Sequence, residues 1–190
     1  MEIKSAAYMT ICEHFYLPCR GQEKEHFLEV AEGASGDMVI LIRVDDRLLH
    51  GQIICSWVPF IKADSLVVAS DEAASDSLVS EIISACGCNE LSVIVKSVAD
   101  TAAYLNGEAV SSRVMLVVGE LRDAMRLYDL GMKFSSINLG NIHHEDDGRV
   151  ITPSIIVNRE DEAHLRRFRD LGVSIEIRDI PRNESRSYVP

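Results

Sequence analysis

One stretch of this sequence carries most of its capacity for chemistry, Arg43-Val44-Asp45-Asp46-Arg47-Leu48-Leu49-His50-Gly51-Gln52. The imidazole of His50, when neutral, can attack phosphorus and form a phosphohistidine. Such chemistry depends mainly on positioning and on positive charge around the phosphoryl oxygens. The planar guanidinium groups of Arg43 and Arg47 suit that task because each donates several hydrogen bonds. The pattern is therefore compatible with a phosphate-handling site.

The residues around His50 could complete such a site. Backbone N–H groups at the start of a helix bind anions, and three residues would supply them here: Gly51, Gln52 and Ile53. Asp45 or Asp46 could orient the imidazole by accepting its other proton. The pattern alone leaves a second interpretation open. A lone histidine in a loop is more often merely solvated than functional, and Arg–Asp pairs in loops are often surface ion pairs of small energetic consequence.

A strand before this stretch and a helix after it must position these side chains. Met38-Val39-Ile40-Leu41-Ile42 is a short apolar run rich in β-branched residues, which is typical of a buried strand in a parallel sheet. Gly51 permits an unusual turn, and the residues from Gln52 to Trp57 have the spacing of a helix that begins there. The charged residues would then lie at the carboxyl end of a strand, where open α/β sheets bind ligands.

Strands and helices alternate along the rest of the chain. Apolar runs predict strands at 65–69, 91–95, 114–118, 137–139 and 173–177, with more extended structure at 150–151 and 155–157. Helical spacing of apolar residues predicts helices near 78–86, 99–105, 121–128 and 160–171. This order predicts a doubly wound α/β fold, with a mostly parallel sheet and helices on both faces.

The two ends of the chain differ from this pattern. Residues 1–37 lack sustained periodicity and end in a linker-like stretch, Glu32-Gly33-Ala34-Ser35-Gly36-Asp37. We interpret them as an N-terminal extension outside the domain, either a disordered segment or residues upstream of a true translational start at Met38. The domain is expected over residues 38–182, and residues 183–190 are expected to form a polar tail.

The composition narrows the classes of function. A formal net charge of −11 argues against extensive nucleic-acid contact and against adhesion to acidic lipid surfaces. The five cysteines are odd in number and lack a paired framework, which favours reduced thiols in a cytoplasmic protein. No apolar stretch approaches the length of a membrane span. Nucleotide binding has no support, because neither a GxxxxGK nor a GxGxxG loop occurs.

The decapeptide at 43–52 resembles the active-site signature of the IIB components of mannose/fructose/sorbose-type phosphotransferase systems. Further matches follow in the family's order over about residues 38–182: Trp57, the strand and loop at 67–72, a second signature at 137–143 with 148–151, and the C-terminal segments at 171–173 and 178–181. An ordered set of separate matches strongly favours the functional interpretation of His50. Asn141-Ile142-His143 is closer to the amino-sugar (galactosamine-type) branch than to the more usual Gly-Met version.

The resemblance implies an enzyme, a protein-histidine phosphotransferase that acts on a sugar. His50 would receive a phosphoryl group from a phosphorylated IIA protein. It would pass the group to the sugar imported through the membrane subunits IIC and IID, so the protein would act at the inner face of the membrane. No cofactor or metal is implied. The oligomeric state stays open, a homo-oligomer included.

The resemblance also assigns roles to individual residues. Asp45 would set the orientation of His50. A third carboxylate, Asp71, lies on a neighbouring loop and is a further candidate for the lining of the pocket. The phosphoryl group would be bound by the side chains or amides of four residues: Arg43, Arg47, Gly51 and Gln52.

Two other classes of function stay open. One is a regulatory binding module, in which phosphorylated His50 signals to a partner and does not support transport. The other is a small metal-dependent hydrolase that uses Asp45, Asp46 and the loop at 143–147. The sequence of that loop, His143-His144-Glu145-Asp146-Asp147, is more typical of a solvated acidic loop than of a metal site.

Overall fold

The computed structural model describes residues 39–87, 91–107, 113–144 and 148–190. The interpretations of residues 1–37, of a start at Met38 and of the acidic residues at 145–147 therefore lie outside the described residues.

The main sheet has seven strands in the order β3-β2-β4-β1-β5-β8-β9, and a separate pair, β6-β7, is antiparallel. Neighbouring strands of the main sheet are parallel except β8 and β9. The strands are β1 Val39–Asp45, β2 Ser65–Ala69, β3 Ser92–Lys96, β4 Val114–Val118, β5 Ser136–Asn141, β6 Arg149–Thr152, β7 Ile155–Val157, β8 Ser174–Ile177 and β9 Arg186–Tyr188.

Helices connect these strands. A single turn of π-helix spans Ile53–Trp57, and the α-helices are α1 Val58–Ile61, α2 Asp71–Ser75, α3 Ser77–Ser84, α4 Val98–Leu105, α5 Leu121–Asp129 and α6 Arg159–Asp170. The predicted fold, a mostly parallel α/β sheet with helices on both faces, is confirmed. Within the described part of the chain, no helix is both long and apolar enough to span a membrane.

The sheet separates two apolar cores, and this separation decides where Arg43 lies. One core packs α4, α5 and α6 on one side of the sheet, and Ile42 and Val44 of β1 belong to it. The other core contains Trp57 and lies on the opposite side. Side chains alternate along a strand, so Arg43 projects to the side of Trp57, and its guanidinium carbon lies 5.0 Å from the centre of the Trp57 ring. A charged side chain is thereby buried against the second core.

Three local features differ from the sequence-based expectation. The helix after His50 contains a π-turn at Ile53–Trp57, a feature that often accompanies functional sites. The C-terminal residues, expected to form a polar tail, contribute the edge strand β9, which has no apolar pattern because it has a single partner strand. Helix α3 has no buried residue, and its Leu78 is 64% exposed.

Candidate functional site

The loop that carries His50 begins where β1 ends, between β4 and β5 at the carboxyl edge of the sheet. The chain turns back at once, because the N–H of Leu48 donates to the Asp45 carbonyl at 2.9 Å. Leu48 has a φ of +53°, a conformation that costs a non-glycine residue on the order of 1 kcal/mol. Helical backbone starts at Gly51. His50 is therefore the last residue before a helix, as predicted.

Asp45 is the centre of the site, and its side chain has no exposed surface. Its Oδ2 accepts a hydrogen bond from Nη2 of Arg43 at 2.9 Å and lies 3.1 Å from Nε2 of His50. Its Oδ1 accepts from Nε of Arg47 at 3.0 Å and from the backbone N–H of Arg47 at 3.3 Å. One buried carboxylate thus joins both arginines to the imidazole.

The environment of Asp45 keeps its carboxyl group ionised. Burial alone raises the pKa of this group, but hydrogen bonds from His50 and Arg47 and the charge of Arg43 lower the pKa by more. The net result is a pKa far below the usual range of an aspartate. An ionised carboxylate only accepts hydrogen bonds, so Nε2 of His50 carries the hydrogen that points to Asp45.

Arg43 is the buried partner of Asp45, and its own side chain has no exposed surface. A guanidinium has five N–H donors, and all of them are used: two hydrogen bonds go to Asp45 and one each to the Asn138 side chain, the Arg178 carbonyl and the Asp179 carbonyl. Burial lowers the pKa of Arg43, while the adjacent carboxylate of Asp45 raises it. A direct phosphate contact, the role that the sequence assigned to Arg43, would require the side chain to leave these partners.

A glycine in β5 makes room for the Arg43 guanidinium. The register between β1 and β5 shifts by one residue, since Val44 lies opposite Leu139 and Asp45 lies opposite Asn141. Gly140 is the extra residue of this bulge. A Cβ atom at Gly140 would lie 1.9 Å from the Cζ atom of Arg43, so a larger residue cannot occupy this position without displacing the guanidinium.

Asp46, the neighbour of Asp45, binds a different set of partners. Its Oδ1 accepts from the Asn141 side chain at 2.5 Å, and its Oδ2 accepts from the backbone N–H of His143 at 2.9 Å. The imidazole Nδ1 of His143 lies 3.3 Å from the same oxygen. Asp46 thus joins the second sequence signature to the His50 loop. Of the two aspartates, only Asp45 contacts the imidazole of His50.

Comparisons with known proteins identify the family of this chain. A family model described as the PTS system sorbose subfamily IIB component matches residues 39–189. The chain belongs to this family. The "PTS system fructose-specific EIIB component" of Bacillus subtilis (strain 168) is 29% identical over 152 residues, which are 80% of this chain and 93% of that protein.

Another protein and a solved structure are also similar to this chain. The "N-acetylgalactosamine-specific phosphotransferase enzyme IIB component 1" of Escherichia coli (strain K12) is 24% identical over 153 residues, covering 80% of this chain and 96% of that protein. A solved structure of a PTS-dependent N-acetyl-galactosamine IIB component from Streptococcus pyogenes has a TM-score of 0.72 and 27% identity, and the match covers 77% of this chain and 90% of that one.

Within this IIB domain, the structure brings together most of the predicted site residues. Nη2 of Arg47 lies 3.2 Å from the side-chain oxygen of Gln52, and the Arg47 side chain is 44% exposed. Gly51 has open space where a Cβ would lie. The amide of Ile53, in contrast, donates to the His50 carbonyl at 3.0 Å, so this predicted anion donor is already used inside the helix.

Asp71 has its own partners, away from the residues that surround Asp45. Its Oδ1 accepts from the backbone N–H of Val98 at 2.8 Å, and its Oδ2 accepts from Nη1 of Arg126 at 2.7 Å. Those two hydrogen bonds lower the pKa of Asp71. Asp71 follows β2, and β4 separates that strand from β1. The pocket role of Asp71 stays a prediction.

The two histidines of the 143–147 loop point to separate carboxylates. His143 contacts Asp46, and Nε2 of His144 lies 2.5 Å from Oδ2 of Asp161 at the start of α6. In the described ranges of the chain, no group of three or more histidine, cysteine, aspartate or glutamate side chains could hold a metal ion.

The sequence assigns no site role to the residues that hold Arg43, although they lie in segments that resemble the family. Asn138 belongs to the predicted strand at 137–139 and to the second signature, and its amide bridges Nη1 of Arg43 at 2.6 Å and the Glu176 carboxylate at 3.2 Å. A signal was present, because an asparagine inside an apolar strand needs a buried partner and a glycine two residues later suggests a bulge. The carbonyls of Arg178 and Asp179 gave no sequence signal, since backbone acceptors are not specified by residue type.

Proposed function

We propose that this IIB domain is a phosphoryl carrier and that His50 is its phosphoryl acceptor. The phosphoryl group would come from a phosphorylated IIA protein and pass to a sugar at the membrane subunits IIC and IID, which places the protein at the cytoplasmic face of the membrane. The observation that carries the proposal is the hydrogen bond from Nε2 of His50 to the buried, ionised Asp45. Family membership supports the same assignment.

This hydrogen bond selects the nitrogen that reacts. Because Nε2 carries the proton, Nδ1 has the free lone pair that a nucleophile needs. No residue that the structure describes forms a hydrogen bond with Nδ1, and the His50 side chain is 17% exposed. Attack by Nδ1 forms the new P–N bond as the P–N bond to the donor breaks, and the donor imidazole departs.

Asp45 acts through the orientation and charge of the ring. Phosphorylation of Nδ1 leaves a cationic imidazole with a proton on Nε2, and the adjacent carboxylate stabilises that charge. Asp45 stays ionised throughout because its pKa is so far below neutral pH. It positions His50 and does not take the proton.

Arg47 is the arginine that is free to contact the phosphoryl oxygens. Its side chain is 44% exposed; Nε donates to Asp45 at 3.0 Å, and Nη2 donates to Asp45 and to Gln52, each at 3.2 Å. Nη1 forms no hydrogen bond with a residue that the structure describes, so its donors are available to a phosphoryl oxygen. Arg43 has no spare donor. We propose that its two hydrogen bonds to Asp45 hold that carboxylate in place.

A phosphorylation assay tests the proposal directly. The full chain is incubated with phosphoenolpyruvate, the general phosphotransferase proteins and the cognate IIA protein, and the modified atom is mapped by 31P and 15N NMR. We expect an acid-labile, alkali-stable adduct on Nδ1 of His50. His50→Ala should abolish labelling, whereas His164→Gln, a control on α6, should be labelled normally.

Two results would contradict the proposal. Labelling of the His50→Ala variant would show that another residue accepts the phosphoryl group. An adduct on Nε2 would show that the Asp45 hydrogen bond does not select the reacting nitrogen. Transfer onward is tested by adding membranes that contain the IIC and IID subunits and measuring sugar phosphate.

A further inference from the structure

A second basic pocket lies beyond the carboxyl end of β8. Its volume is about 460 Å³, within the range of roughly 300–1,000 Å³ that is usual for small-molecule sites. The turn between β6 and β7 forms one wall through Thr152 and Pro153, and the segment from Arg178 to Arg186 forms the other. The pocket lies at the carboxyl edge of a parallel sheet, where ligands bind in this class of fold.

Two arginines in this pocket have no partner among the residues that the structure describes. Among the arginines that the structure describes, only Arg159, Arg182 and Arg186 make no side-chain hydrogen bond, ion pair or ring contact with another described residue. Arg182 and Arg186 both line the pocket. The protein has a net charge of −11, so carboxylates that could pair with them are abundant. Asp179 and Glu184 also line the pocket, but within the described part of the chain neither forms an ion pair with Arg182 or Arg186, so both guanidinium groups keep donors available to an anion from outside.

The walls that present these arginines are held in place. The Arg178 guanidinium donates to the Asn183 carbonyl at 2.9 Å and lies 5.3 Å from the centre of the Phe60 ring. Ser154 donates to Oδ1 of Asp179 at 2.6 Å, which joins the β6–β7 turn to the opposite wall. Pairing of β9 with β8 places Arg186 opposite Ile177. The pocket is therefore formed by paired backbone and by side-chain hydrogen bonds.

We propose that this pocket binds a small phosphorylated molecule that also carries hydroxyl groups. Arg182 and Arg186 would bind the phosphate, because guanidinium groups match its geometry. The polar side chains of Asn183 and Glu184, which also line the pocket, would accept hydrogen bonds from hydroxyl groups. Sugar phosphates fit this description. The choice of a sugar phosphate rests on the proposed function, since it is the class of product that this function forms.

The site is distinct from the candidate phosphorylation site but connected to it. Arg178 and Asp179, which line the pocket, supply the two backbone carbonyls that accept hydrogen bonds from Arg43. A ligand bound there would contact the same segment that supports Asp45. Binding, however, does not require His50 to be phosphorylated.

Isothermal titration of the full chain tests the proposal, with glucose 6-phosphate, inorganic phosphate and glucose as the probes. We expect glucose 6-phosphate to bind with a millimolar or lower Kd, more tightly than either inorganic phosphate or glucose. The double variant Arg182→Gln/Arg186→Gln should weaken binding by at least about tenfold. Arg159→Gln removes the other unpartnered arginine and should leave binding unchanged. Circular dichroism of each variant verifies that it is folded.

Several outcomes would overturn the proposal. They are an absence of heat with glucose 6-phosphate, equal binding to the folded double variant, or equal affinity for phosphate and glucose 6-phosphate. Loss of binding in the His50→Ala variant would also overturn it, since the ligand would then occupy the first site. These results are separate from the phosphorylation assay, which reports on His50 alone.

Discussion

The contact between Gly140 and Arg43 gives the sharpest test of the site's construction. In Gly140→Ala the new Cβ would lie 1.9 Å from Cζ and from Nη2 of Arg43, far inside van der Waals contact. The guanidinium has no room to move without losing buried hydrogen bonds, and Asp45 would lose its fully buried partner. Breaking a buried ion pair costs about 3–5 kcal/mol. We expect the free energy of unfolding to fall by about that amount, a large part of the roughly 5–15 kcal/mol that holds a domain together.

Urea unfolding followed by circular dichroism at pH 7 measures this change. Gly51→Ala is the matched control, because a Cβ at Gly51 meets no atom within 4 Å and its φ is not positive. The control should change the free energy of unfolding by no more than about 1 kcal/mol. If Gly140→Ala unfolds within about 0.5 kcal/mol of the wild type, the tight packing of Arg43 against β5 is refuted.

Three further predictions concern single side chains of the candidate site. Arg47→Ala should slow phosphorylation of His50 by about tenfold or more, because a charge-assisted hydrogen bond contributes about 1.5–3 kcal/mol; an unchanged single-turnover rate would remove Arg47 from the mechanism. The lowered pKa of Asp45 means that its ionised form stabilises the fold above the unfolded value of about 3.9, and that this stability is lost as the pH falls below it. The difference in unfolding free energy between wild type and Asp45→Asn should therefore shrink from pH 7 to pH 3, and a constant difference would contradict this. Asp71→Asn tests the predicted pocket role of that carboxylate: its engagement by Arg126 favours a phosphorylation rate within about twofold, which would contradict the role, whereas a large loss would support it.

The fold could be predicted from the sequence because its strands and helices carry strong local patterns of apolar residues. Apolar runs of about five residues, such as 65–69 and 114–118, strongly predict buried strands when helical segments separate them. The strand β9 was missed for the opposite reason. An edge strand with one partner needs no apolar pattern, and its position depends on backbone pairing with β8.

The candidate site was only partly predictable. The charged residues near His50 were visible because they are close together in the sequence, and their approximate placement followed from the end of β1. The burial of each side chain, in contrast, could not be predicted from the sequence. Arg43 and Arg47 look equivalent in the sequence, but one is completely buried and the other is 44% exposed. That difference arises from strand alternation and from the bulge at Gly140, which are properties of the assembled sheet.

The consecutive aspartates show how the assembled sheet divides roles that the sequence left equal. Asp45 is the last residue of β1, so its side chain remains on the side of Arg43 and the sheet interior. Asp46 is the first residue of the turn, and its N–H donates to the Asn141 carbonyl at 3.0 Å, which directs its carboxylate to the end of β5. Each carboxylate therefore holds one imidazole, His50 for Asp45 and His143 for Asp46. The buried carboxylate fixes the tautomer of His50, the proposed phosphoryl acceptor, while the exposed one joins the His50 loop to β5. For Asp46 to take the place of Asp45, β1 would have to shift by one residue along its neighbouring strands. Every side chain of β1 would then point to the opposite face of the sheet.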